Sequence, residues 1–312
     1  MTQPTATAQS DFFLTDVRAA TAEIDKIAHR MAGRFESDIF GGFLHDVEAL
    51  FSGAYPGYRA SNTKYHDFPH TIAVVLATAR LIHGCMLDGH RFTARQVLIT
   101  LTAALFHDVG LIQKIDDIQG SGAKYTVGHE ERSIVFLREY LAGGVFSAGE
   151  IDTCANFIRC TILSYQPREL AFDSPEDRTL GFVVGTADLM AQMADRLYLE
   201  KLLLLYKEFE EARLPGFDSE LQLLRKTKDF YEIVARKRFD EDLDAVYTQM
   251  KSHFDNWYGC PRDGYTEAII GNIRYLERLI DQCQDSFRCY LDRLKRGGIA
   301  QQLIDELPPE TN

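Results

Sequence analysis

The chain of 312 residues predicts an all-α fold. Apolar residues recur at three- and four-residue spacing through most of its length, alternating β-branched runs are few, and helix-start signals return repeatedly. Only nine prolines interrupt the pattern.

Taken in order, residues 1–10 (MTQPTATAQS) are polar and predict a disordered tail. A loop at 52–67 leads to Asp67-Phe68-Pro69, a cap and a proline in helix-start order. This places His70 at a helix start and His66 on the loop before it. Thr93 precedes ARQVLITLTAALF, Ser147 opens a capping box with Glu150, and Ser174-Pro175-Glu176-Asp177 sets out cap, proline and acid. Each predicts a new helix. Gly110 is expected to end or bend the helix that reaches His107, and further loops fall at 116–128 and 214–217. From about Asp218 the helices become longer and more charged. No solenoid repeat or linker divides the chain, so a single compact helical domain is expected. Its catalytic part would span 11–215, with the helices of 216–312 packed upon it or forming a homodimer contact.

The formal charge is −12 and the pI about 5.2. Binding the nucleic-acid backbone needs clustered Lys and Arg, so a polymeric nucleic-acid partner is not expected. An anionic small molecule would be repelled unless cations reverse the local field. No apolar run comes close to the roughly 20 residues that span a bilayer and the start is not leader-like, so a cytoplasmic protein without a membrane partner is expected. Six cysteines without CxxC spacing are expected to be reduced, mostly structural thiols.

The chemistry gathers at His66, His70, the pair His107-Asp108, and Asp188. Imidazole with carboxylate, and no cysteine near, suits one or two divalent ions such as Zn, Mn, Mg or Fe. Asp188 is the only acid between Thr179 and Ala191, where a carboxylate is costly unless it is paired or meets a cation. His70 on a rigid element suits a metal ligand, and His66 on the adjoining loop suits an acid leaning over the site. His129 is a candidate for a second metal or a phosphate contact, with Glu130 orienting an imidazole. Lys124 and Arg132 are candidate substrate contacts. His29, His45, His83, His90 and His253 read as surface or packing residues.

The ordered set Y-H-D-x-x-H, L-F-H-D-V-G and T-A-D-L-M-A-Q-M resembles the HD-domain metal phosphohydrolases, most nearly the branch related to class I cyclic-nucleotide phosphodiesterases. The resemblance covers about residues 60–210. It implies a helical fold in which His70, His107, Asp108 and Asp188 hold a metal, His66 protonates the leaving oxygen, and Asp108 helps bridge to a second metal. The chain departs from the phosphodiesterase pattern at Asp67, and no purine base is implied. The expected function is hydrolysis of a small phosphorylated substrate, such as a cyclic nucleotide, by metal-activated hydroxide. Two rivals are a di-iron oxygenase on the same ligands and a non-catalytic regulator that keeps the metal site for ligand binding.

Overall fold

The computed structural model describes residues 12, 14 and 16–306, so the expected tail at 1–10 lies outside the described residues. Among them are thirteen α-helices and no β-strand. In chain order they are α1 (Val17–Ala32), α2 (Ser37–Ser52), α3 (Phe68–Leu87), α4 (Ala94–Phe106), α5 (His129–Leu141), α6 (Ala148–Arg159) and α7 (Pro175–Ala194). There follow α8 (Tyr198–Glu211), α9 (Glu220–Asp229), α10 (Met250–Tyr258), α11 (Gly264–Cys283), α12 (Phe287–Arg293) and α13 (Ile299–Glu306).

The axis of this arrangement is α3. Asp67 begins it as the sequence predicts: its carboxylate accepts from His70 N at 2.8 Å, and Pro69 sits in the first turn, where no intrahelical partner is lost. Nearly every residue from His70 to Cys85 is buried, because α1, α4, α7 and α10 pack around it. A helix apolar on all sides must be sheathed. At 20 residues, with a mean hydropathy of 1.4 over its most apolar window, α3 is long and apolar enough to cross a membrane. This corrects the expectation that no run approaches that length; 83% of the window is buried in the protein core.

The other start signals lie where the residues put them. Thr93 and Gln96 form a reciprocal capping box on α4, Ser147 and Glu150 form another on α6, and Ser174 caps α7. Arg80, fully buried on α3, gathers distant helices: it bonds Glu23 of α1 at 2.6 Å, Tyr258 of α10 at 2.8 Å and Tyr265 of α11 at 3.1 Å. One hydrophobic core runs from Ala20 to Ile304. The C-terminal helices join it, α10 against α3, α11 against α7 and α13 against α8. Glu200 of α8 fixes the last of these by accepting from Ala300 N at 2.9 Å.

One cysteine expectation is corrected. Cys283 closes α11 and Cys289 lies on α12, and the tight reversal between the helices brings them into a disulfide. A spacing of six residues across a helix corner lies outside the CxxC pattern that the sequence reading considered. Cys85, Cys154, Cys160 and Cys260 are free thiols.

Candidate metal centre

Four elements converge on one buried point. His70 comes from the first turn of α3, His107 caps the end of α4, Asp108 follows as the chain leaves that helix, and Asp188 lies on α7. His70 Nε2 lies 3.6 Å from Asp108 Oδ2 and 3.5 Å from Asp188 Oδ1. His107 Nε2 lies 3.2 and 3.7 Å from the same two oxygens. Ligands about 2.0–2.2 Å from one ion sit roughly 2.8–3.6 Å apart in tetrahedral or octahedral order, so His70, His107 and Asp108 are spaced for a single cation, with Asp188 beside the two imidazoles. His107 Nε2 and Asp108 Oδ2 are buried without any hydrogen-bond partner. Two orphaned polar atoms facing one point are costly unless something charged meets both.

The imidazoles are oriented from behind. His107 Nδ1 is 2.8 Å from Ala104 O, so that nitrogen donates and Nε2 turns inward. His129, at the start of α5, repeats the arrangement: Nδ1 meets Thr126 O at 2.8 Å, and Nε2 faces Asp108 Oδ1 at 3.1 Å. Asp108 therefore presents one oxygen to each set of imidazoles. Glu130 Oε2 lies 3.4 Å from His129 Nδ1.

The turn that carries Asp108 is clamped to α5. Ser133 Oγ donates to His107 O at 2.6 Å and accepts from Gly110 N at 2.8 Å. A Cβ on Gly110 would lie 2.0 Å from His129 O and 2.6 Å from Ser133 N. Gly110 was expected to end or bend the helix, but α4 already ends at Phe106; the glycine is needed because α5 passes against its backbone.

His66 stands beside this centre, its ring centroid 5.8 Å from that of His129 and 6.0 Å from that of His70. Its Nδ1 meets Glu208 Oε2 at 2.6 Å, and Glu208 Oε1 accepts from Tyr65 N at 2.7 Å. Glu208 lies on α8, is 3% exposed, and was not singled out in the sequence. Leu202, Leu205 and Glu208 share the buried face of that helix.

The field of the pocket favours positive charge. Burial opposes charging His107 and His129, yet the neighbouring carboxylates, Asp108 foremost, prevail and hold both up to about 9. Burial likewise opposes charge on His66, but Glu208 and Asp108 outweigh it and raise its pKa. Asp108 is itself held well below the usual carboxylate range, its burial overcome by His107 and His129.

Lys124 and Arg132 have other duties. Lys124 Nζ pairs with Asp117 at 2.5 Å and donates to Gln119 O at 2.6 Å, tying the 116–128 loop to itself. Arg132 Nε donates to Gly110 O at 2.8 Å, and its guanidinium lies 3.5 Å from the Tyr125 ring centre. These contacts account for both side chains as supports of the loop and of the Asp108 turn.

No protein-family model matches the chain, and no curated protein matches it. His70, His107 and Asp108 form a group able to hold a metal ion, and this donor chemistry is the ground for a functional reading.

Proposed function

We propose that this centre is the active site of a metal-dependent phosphohydrolase acting on a small phosphoester, in the first instance a phosphodiester such as a cyclic nucleotide. The observation that carries the reading is Asp108, whose Oδ2 lies with His70 and His107 while its Oδ1 faces His129. One buried carboxylate would thus be open to a cation on either side, next to an imidazole already paired with a carboxylate.

His70, His107, Asp108 and Asp188 would hold the first ion, and Asp108 with His129 would contribute to a second. A divalent ion held there supplies a water of lowered pKa and offsets charge on the phosphoryl oxygens. It also reverses the local field of a chain of charge −12, which an anionic substrate requires. His66 supplies the proton. Glu208 holds Nδ1 and favours the imidazolium, which leaves Nε2–H to be given to the departing alkoxide. After transfer the Nδ1–H bond to Glu208 keeps the ring in place for reprotonation.

The test combines elemental analysis of the purified protein with assays in Mn²⁺, Mg²⁺ or Zn²⁺. Substrates are bis-p-nitrophenyl phosphate and a panel of cyclic and linear nucleotides. The reading requires metal-dependent turnover that falls by on the order of 10²–10⁴ in His66→Ala while metal content is retained. Bound iron without hydrolysis would transfer the site to oxygen chemistry, and a protein that takes up no metal would be a ligand-binding regulator.

A further inference from the structure

A second cavity opens across α7 from the metal centre. Asp188 and Met190 are two residues apart on that helix and therefore about 200° apart around its axis. Met190 lines a cavity of about 370 Å³, within the range of small-molecule sites.

The walls come from the least regular stretch of the chain. Two π-helical segments, Phe230–Ala235 and Arg238–Asp242, are followed by Asp244 and Ala245, both with left-handed φ of 53° and 52°. Single π turns occur often at functional sites, and a non-glycine residue at positive φ is strained. The surroundings hold this geometry in place. Arg178 bonds Asp244 at 2.7 Å, Arg168 takes its other oxygen, and Ala245 N donates to Phe239 O at 2.9 Å. The result is three aromatic rings, Tyr231, Phe239 and Tyr247, around one space.

The charges that face this space are Arg236 and Asp240. Asp240 is already engaged, accepting from Tyr247 Oη at 3.0 Å. Arg236 lies four residues earlier, yet its guanidinium makes no ion pair or hydrogen bond among the described residues, and the residue is exposed. An aromatic enclosure with one uncommitted guanidinium is suited to a flat ring that carries an anion, since the ring buries apolar area and the cation meets the charge in a forked hydrogen bond.

We infer that this cavity is a second small-molecule site, separate from the metal centre, that takes a planar aromatic ring bearing an anionic group, with the ring against Tyr231, Phe239 and Tyr247 and the anion on Arg236. AMP, UMP and indole-3-acetate are titrated calorimetrically into the full chain, with adenosine and inorganic phosphate as controls. The chain carries Asp188→Asn and is kept in EDTA, so that the metal centre cannot contribute. At least one ring-bearing anion is expected to bind. Arg236→Gln should weaken it by about tenfold or more, and Phe239→Ala should weaken it while leaving phosphate unaffected. Arg236 is at the surface, so its variant keeps the test open if Phe239→Ala does not fold. Failure of all three ring-bearing anions to bind, equal binding by phosphate alone, or indifference to Arg236→Gln would each overturn the proposal.

Discussion

Two groups of buried histidines hang on the same helix and behave in opposite ways. At the start of α3, His70 meets His107, Asp108 and Asp188, with His129 on the other oxygen of Asp108; thirteen residues later, His83 meets His253 of α10, with their Nδ1 atoms 3.0 Å apart. In both groups an imidazole Nε2 is buried without a partner, His107 in the first and His253 in the second. What differs is the carboxylates. Where Asp108 stands near, His107 is raised to about 9; where burial is compounded by Arg80, His253 is pushed down to about 2. Burial of a histidine is therefore not itself a sign of chemistry. A carboxylate makes the pocket attract a cation, whereas His83 and His253 form a neutral packing pair beside Trp257, whose ring stacks on His253.

The most severe way to erase the contrast is Asp108→Ala, which strips the metal group of its shared carboxylate. Metal content by elemental analysis should fall to background and turnover with it; retention of a stoichiometric ion would remove Asp108 from the ligand set. Glu208→Gln should act on only one member. Turnover should fall by on the order of 10²-fold with metal content unchanged, because the imidazolium of His66 loses its carboxylate. Equal loss of metal would make Glu208 a support of the whole centre instead.

The second group is tested through acid. The His253 pKa is depressed in the folded protein, so below its ordinary value of 6.5 the unfolded chain takes up a proton that the folded chain refuses. The contribution of His253 to stability is complete above about pH 6.5 and is lost as pH falls toward 2, at about 1.4 kcal/mol per pH unit. His253→Leu should flatten this acid limb, seen as a smaller drop in melting temperature between pH 7 and pH 5; an identical drop in the variant would place the acid sensitivity elsewhere. The smallest effect belongs to Asp67→Ala. Loss of this cap should cost about 1 kcal/mol and raise amide exchange in the first turn of α3, with exchange around His83 unchanged.

Legibility in the sequence followed chain distance. Caps act within four residues, so Asp67, Thr93, Ser147 and Ser174 announced their helices directly. Asp188 was visible because a lone acid in an apolar helix breaks the local pattern. Glu208 was not singled out: it stands among other acids in α8, and only contact with a loop 142 residues away buries it against His66. The pairing of His83 with His253 spans 170 residues and leaves no local trace. Gly110 was noticed for the wrong reason, since its need for a bare backbone comes from α5, which begins nineteen residues later. Neither the π-helical turns nor the left-handed pair at 244–245 shows in the periodicity, because tertiary contacts impose both.

The proposed ion contacts are drawn from residues 70, 107, 108, 129 and 188, with the proton donor at 66 buttressed from 208. The first and last of these positions stand 142 residues apart in the chain. The pocket exists only while α3, α4, α5 and α7 are docked. Ion release during gradual denaturation would then report the parting of these four helices as a unit, and the centre would serve as an internal gauge of whether the chain has finished folding.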